Sequence, residues 1–277
     1  MFLTAETQAL IRLALAEDVG PGDVSAALLP SGLRGRAAIL AKAPLVVAGG
    51  PIFSAVYAAL DPDVRVTWAV PDGTAVERGT VLGHVEGASR AMLTGERTAL
   101  NFLQRLSGIA SYTRLCVERV AGTRTRIVDT RKTTPGLRAI EKYAVRVGGG
   151  HNHRFGLFDG VLIKDNHVAA LGGVAAAIRE ARRTAHHLLR VEVEVTTLAQ
   201  LDEAIAERAD VILLDNMSTA DMAAAVTRTA GRALLEASGN MTLERLAEVA
   251  ATGVDLISLG ALTHTVRAAD ISLEYLA

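Results

Sequence analysis

The chain has 277 residues, half of them hydrophobic and only 4% aromatic, with a net charge of −1 and one cysteine. That length suits one large α/β domain or two ordinary ones. The charge balance excludes a general pull toward nucleic acid or anionic membrane, and the single cysteine excludes an intrachain disulfide and a cysteine-based metal site.

Residues 4–17 read as an amphipathic helix, with Leu10, Ile11, Leu13, Leu15 and Ala16 as its apolar positions. Asp18–Asp23 is a loop by its Gly and Pro content. Strand-like runs follow at 37–40, 45–48, 64–70 and 81–85, punctuated by turns at Pro71-Asp72-Gly73 and Arg78-Gly79, which predicts a small antiparallel α+β region. The stretch 72–86 looks like a lipoyl or biotinyl carrier hairpin, but 69–90 contains no lysine, so the hairpin is read as structural. Thr94–Leu106 is a helix whose buried stripe is Ala99, Leu100, Leu103 and Leu106, while Arg97, Asn101 and Arg105 share another face. Cys116, between Leu115 and Val117 in a helical run, is expected to be a small buried residue rather than a nucleophile. No run approaches the ~18 uncharged apolar residues of a membrane span. Met1–Glu6 lacks a basic, apolar leader pattern, so a cytoplasmic protein is the default.

From about residue 125 strands alternate with helices. Six apolar runs end in polar or small residues: Asp129, Lys164, Glu194, Asp215, Glu236 with Ser238, and Gly260. Later strand starts, near 161, 191, 211, 233 and 255, lie roughly 20–30 residues apart, the span of a strand plus a crossover helix. If those strands pair in parallel, their ends converge on one face, where ligands bind in such folds. The tail 266–277 is too short for another unit and is expected to pack back onto the first region.

Residues 129–165 hold seven Lys or Arg against four acids. Thr130-Arg131-Lys132-Thr133-Thr134 follows a strand directly, and Pro135-Gly136 prevents a simple helix, so a loop presents two cations and three hydroxyls. Arginine offers a planar fork for a carboxylate, lysine a point charge for phosphate. Three consecutive glycines, 148–150, need a backbone reason, such as close approach of a ligand or another strand. His151 and His153 alternate like strand residues and can face one side, although no third metal ligand has obvious spacing. Glu192 and Glu194 share a side of their strand, and Glu194 lies nearer its C-terminal end. Glu194 and Asp215 suit Mg²⁺, directly or through water, or sugar hydroxyls. Ser238-Gly239-Asn240 and Gly260-Ala261, at the last strand ends, suit a phosphate cradle of backbone N–H groups.

Taken together, Asp129–Arg138, Lys142-Tyr143-Ala144, Gly148–Gly150, Asn152-His153-Arg154, Leu162–His167, Glu192–Val195, Leu214-Asp215-Asn216, Glu236–Gly239 and Ser258–His264 resemble the quinolinate phosphoribosyltransferase family. The likeness extends through Glu17-Asp18, Gly22-Asp23 and Gly95–Phe102. Asn240 stands where many members have glycine, and Ser25 where threonine is common. The resemblance implies an α/β fold: an N-terminal α/β sandwich (1–110, with 266–277 returning to it) and a C-terminal incomplete (β/α) barrel (111–265). It also implies a homodimer and a Mg²⁺-dependent reaction joining quinolinate to 5-phosphoribosyl 1-pyrophosphate with loss of CO₂. Arg131, Arg154 and Lys164 would hold the quinolinate carboxylates with Thr130 and His153, and Arg97 would reach in from the neighbouring subunit. Lys132 would neutralise pyrophosphate. Glu194 and Asp215 would hold the ribose hydroxyls and metal shell, and Ser238, Gly239, Asn240, Gly260, Ala261 and His264 the 5′-phosphate. Two rival readings are a paralogous transferase acting on nicotinate or another heteroaromatic acid, and a non-catalytic sugar-phosphate-binding barrel.

Overall fold

The computed structural model describes residues 3–276, so those parts of the leader and tail readings that fall on Met1, Phe2 and Ala277 lie outside the described residues. In chain order the first elements are α1 (Ala5–Val19), β1 (Arg34–Ala41), β2 (Leu45–Val46), α2 (Gly50–Leu60), β3 (Arg65–Trp68), β4 (Ala75–Val76), β5 (Val81–Ala88), α3 (Ser89–Arg119), β6 (Arg126–Val128) and α4 (Arg138–Val147). There follow β7 (Val161–Ile163), α5 (Asp165–Leu171), α6 (Val174–Thr184), β8 (Val191–Val195), α7 (Leu198–Ala206), β9 (Val211–Asp215), α8 (Thr219–Thr229), β10 (Leu234–Ser238), α9 (Leu246–Ala251), β11 (Leu256–Ser258), α10 (Ala261–His264) and β12 (Ile271–Leu276). They form two compact units. One takes the described chain up to Arg114, then Thr134–Gly149 and everything from Thr263; the other takes Leu115–Thr133 and Gly150–Leu262.

In the first unit, α1 starts where the Thr4 hydroxyl accepts the Thr7 N–H. Its buried line is Thr7, Ile11 and Leu15, spaced by four. Leu13, expected among the apolar positions, is 67% exposed, because two residues along a helix is roughly 200° around it. A four-stranded sheet runs in the order β12-β1-β5-β3, with β2 and β4 as a separate pair. The tail contributes β12, antiparallel to β1 from Arg36↔Leu276 to Ala41↔Ile271. No element is expected above between the second and third strands, yet α2 forms there. Asp72 accepts the N–H groups of Gly49 and Gly50 at its start, Pro51 suits the first turn, and Ile52, Phe53, Val56 and Tyr57 are fully buried. Burying each of the first three is worth roughly 1.5–3 kcal/mol.

The helix read over 94–106 is much longer: α3 has 31 residues. Its expected stripe is buried, as is Cys116. Arg105 leaves the Arg97 and Asn101 face for a structural task. It pairs at 2.6 Å with Glu141 of α4, whose side chain is fully buried, and a buried carboxylate needs such a partner. Within the glycine run, a side chain at Gly148 would collide with the Ala110 carbonyl and Thr113 of α3, so the close approach of a helix demands glycine there, and Gly149 takes φ +96°.

In the second unit all six strands are parallel, in the order β6-β11-β10-β9-β8-β7. This is the succession of a barrel left open between β6 and β7, where a lone parallel bridge, Val128↔His151, continues the pairing. The strands need apolar side chains on both faces; in β8, Val191, Val193 and Val195 are buried and so is Glu192. Among the described residues no helix is long and apolar enough to cross a membrane.

Candidate active site

The C-terminal strand ends of the second unit gather most of the expected residues. Thr130, Arg131 and Lys132 follow β6; Lys164 follows β7; Glu194, Asp215 and Ser238 close β8, β9 and β10; Gly260 lies just past β11. Arg97 on α3 and His264 at the end of α10 are exposed and belong to the first unit.

The segment after the glycine run is irregular and is fastened from below. Asp129, fully buried, accepts the Asn152 side-chain amide at 2.6 Å and the His153 backbone N–H at 2.8 Å. His153 Nδ1 accepts the Arg154 N–H at 2.7 Å, and Arg154 Nη1 donates to the Gly160 carbonyl at 3.0 Å. Above this, the Thr130 hydroxyl accepts the Lys132 N–H at 3.0 Å and shapes the cationic loop. Burial, then the nearby positive charge of Arg131, lowers the Arg154 pKa from its ordinary value. Both guanidinium groups keep a buried Nε–H with no acceptor. Two facing cations with unmet donors form a receptor for an anion with several oxygens.

Lys164 Nζ lies 3.9 Å from Glu194 Oε2. Burial raises the Glu194 pKa; Lys164 opposes the rise and Asp215 adds to it. The paired acids at adjacent strand ends are hard oxygen donors with charge to share, and this chemistry fits Mg²⁺. Asp215 also accepts the Asn216 side-chain amide at 2.9 Å. The cradle beside it depends on backbone freedom. Gly239 has φ +86°, and a side chain there would fall on the Asn216 amide. Asn240 has φ +50°, a left-handed conformation that asparagine tolerates better than most residues. Asn240 also donates to Asn216 at 3.0 Å.

His153 is turned into the barrel. Its Nε2 lies 3.0 Å from Glu192 and 3.7 Å from Glu236, so both ring nitrogens are engaged within the protein. Neither acid is among the site residues expected from the sequence; inward alternation, Glu192 with Glu194 and Glu236 with Ser238, is the signal that marks both. They line a cavity of about 330 Å³ that also touches Arg126, Val161, Val211 and Leu256, the first residues of their strands. Burial, then the charge of Glu192, raises the Glu236 pKa from 4.5 to about 7, against the pull of His153. An acid with a raised folded-state pKa adds stability below its ordinary pKa and loses it as pH rises through the folded value. Relative to the native protein, Glu236→Gln is therefore expected to gain melting temperature as pH rises from 5 to 8. Differential scanning calorimetry checks this; a pH-independent difference between the two proteins contradicts it.

The sequence profile of the quinolinate phosphoribosyl transferase C-terminal domain matches residues 109–274, and that of the N-terminal domain matches 23–107. The chain is 47% identical to a nicotinate-nucleotide pyrophosphorylase [carboxylating] of Mycobacterium leprae, covering 95% of each chain. It is 45% identical to a probable enzyme of the same name from Bacillus subtilis, over 93% of this chain and 89% of the other. The crystal structure of NadC from Streptococcus pyogenes matches with a TM-score of 0.96 at 42% identity over the whole of both chains. The nicotinate-nucleotide pyrophosphorylase of Francisella tularensis matches with 0.93 at 40%, over 98% of this chain and 96% of that one. With both domain profiles matched, over 23–107 and 109–274, and the cationic pocket standing on the matched barrel, the chain belongs to the quinolinate phosphoribosyl transferase family.

Proposed function

We propose that the protein transfers the phosphoribosyl group of 5-phosphoribosyl 1-pyrophosphate to the ring nitrogen of quinolinate, releasing pyrophosphate and CO₂ and forming nicotinate mononucleotide for NAD synthesis in the cytoplasm. The observation that carries it is the pair Arg131 and Arg154, mutually repelling and each with an unmet buried donor. A pyridine bearing two adjacent carboxylates meets that need.

Arg131 and Arg154 bind the carboxylates, Thr130 offers a hydroxyl, and His153 contributes by holding Arg154. Lys164 adds a third positive charge. Arg97, exposed on α3, completes the pocket from the neighbouring subunit of a homodimer. Lys132 neutralises the leaving pyrophosphate. Glu194 and Asp215 orient the ribose hydroxyls and would hold Mg²⁺, which supplies charge neutralisation at the pyrophosphate. Backbone N–H groups around Ser238–Asn240 and Gly260-Ala261, with His264, receive the 5′-phosphate. As pyrophosphate departs, the oxocarbenium-like sugar is stabilised by these fixed acids. The ring nitrogen attacks the anomeric carbon; the positive pyridinium nitrogen then stabilises the carbanion left at C2 when the 2-carboxylate departs as CO₂, and a proton from water takes up that electron pair to give the C2–H of the product. No enzymic nucleophile is needed, in keeping with a buried Cys116.

Quinolinate labelled in its 2-carboxylate should release labelled gas in step with nucleotide when the donor and Mg²⁺ are present. Nucleotide formed from nicotinate, with quinolinate left untouched, would replace this reading with that of a paralogous transferase.

A further inference from the structure

Buried acids are costly unless something in the fold uses them. Three from different strands of the second unit converge on the irregular segment 152–154: Asp129 after β6, Glu192 on β8 and Glu236 on β10. Asp129 holds the backbone of His153. The other two act on its ring. Relative exposure is 7% for Glu192 and 2% for Glu236, so neither reaches solvent as a surface charge.

His153 Nε2 and one oxygen of each glutamate lie within 4.8 Å of one another, close enough to share a metal ion. The imidazole argues against that use. Nδ1 accepts the Arg154 N–H, so the ring proton of the neutral form sits on Nε2, the atom that would have to bind the ion. With the proton there, Nε2 donates to Glu192 at 3.0 Å. The hydrogen bonds then run in one direction, from the Arg154 backbone to His153 and from His153 to Glu192.

We propose that Glu192, seconded by Glu236, is a positioning residue for substrate: by fixing the tautomer and orientation of His153 it locks the 153–154 peptide and aims the Arg154 guanidinium at a quinolinate carboxylate. The inference rests on the carboxylate-binding role given to Arg154 above. Aiming matters because Arg154 has few other restraints. Among the described residues its guanidinium donates from Nη1 to the Gly160 carbonyl, and its Nε–H has no acceptor. A planar fork held in advance loses less freedom on binding than one that must be found. Glu236 lies 3.7 Å from the same Nε2, and burial raises its pKa.

A double-mutant cycle read by quinolinate binding tests this. Glu192→Leu keeps the volume and removes the acceptor. Its quinolinate Kd, by isothermal titration on the intact enzyme, should rise about tenfold or more. In an Arg154→Ala background the same change should move Kd by less than about twofold, because its route of action is gone. Glu192→Gln, which keeps an acceptor oxygen, should restore most of the affinity. An equal loss in both backgrounds would mean a general structural role and overturn the proposal. The unaltered enzyme supplies a check that needs no variant. Long-range imidazole ¹⁵N spectra, with His153 assigned by His153→Gln, should show Nε2 protonated and Nδ1 bare; a proton on Nδ1 overturns the proposal. Failure of the unaltered enzyme to bind quinolinate at all would instead refute the functional reading beneath it.

Discussion

Replacing Arg131 by alanine is expected to weaken quinolinate binding by roughly ten- to a hundredfold, the range for losing a charge-assisted hydrogen bond, while binding of the phosphoribosyl donor changes little. Arg131 carries a buried Nε–H without an acceptor and sits close enough to Arg154 to oppose its charge. Deleting it removes an attraction that only the dicarboxylate would feel. It also relieves the repulsion on Arg154, so the remaining guanidinium should become easier to bury and compensate in part. Separate titrations with quinolinate and with the donor measure the split. Equal losses for both ligands, or none for quinolinate, would show that the cation pair serves something other than the acid.

At quinolinate concentrations well below the weakened Kd, mixing two impaired proteins is expected to restore activity. Arg97→Ala and Arg131→Ala each disable every site of their own homodimer if the site is shared between subunits. In a heterodimer, one site draws Arg131 and Arg97 from the two undamaged sources and is whole; the other carries both lesions. Free exchange of equal amounts should therefore recover about a quarter of the native rate, since half the twofold assemblies are mixed and each has one working site. Partial unfolding and refolding of the mixture, followed by the gas-release assay, measures it. No recovery after demonstrated exchange would refute a shared site.

The barrel was legible because each parallel strand is a short apolar run broken by a polar residue, and the break coincides with the strand end at Asp215 and Ser238. Helix α2 was not, since Gly49-Gly50-Pro51 reads locally as a turn, and only Asp72, 22 residues on, reveals it as a capped helix start. The placing of α4 was equally hidden: it depends on Arg105 meeting Glu141 across 36 residues, and neither residue type announces that choice. In the site, cations and glycines stood out by clustering. His153 stood out by its neighbours in sequence but its partners did not, because those acids lie on strands 39 and 83 residues away in number (192 − 153 and 236 − 153). Alternation placed Glu192 inward, yet nothing local says that an inward acid will meet a histidine.

The pairing of β12 with β1 has a consequence for how the protein is made. Strand β1 lies between β5 and β12, so its outer hydrogen-bonding groups stay bare until residues 271–276 have left the ribosome. By then the six barrel strands between them, the last of which ends at Ser258, have been synthesised. A premature stop between Ser258 and Ile271 would leave the rest of the chain nearly complete but with an open, sticky strand edge, the kind that recruits other chains into aggregates.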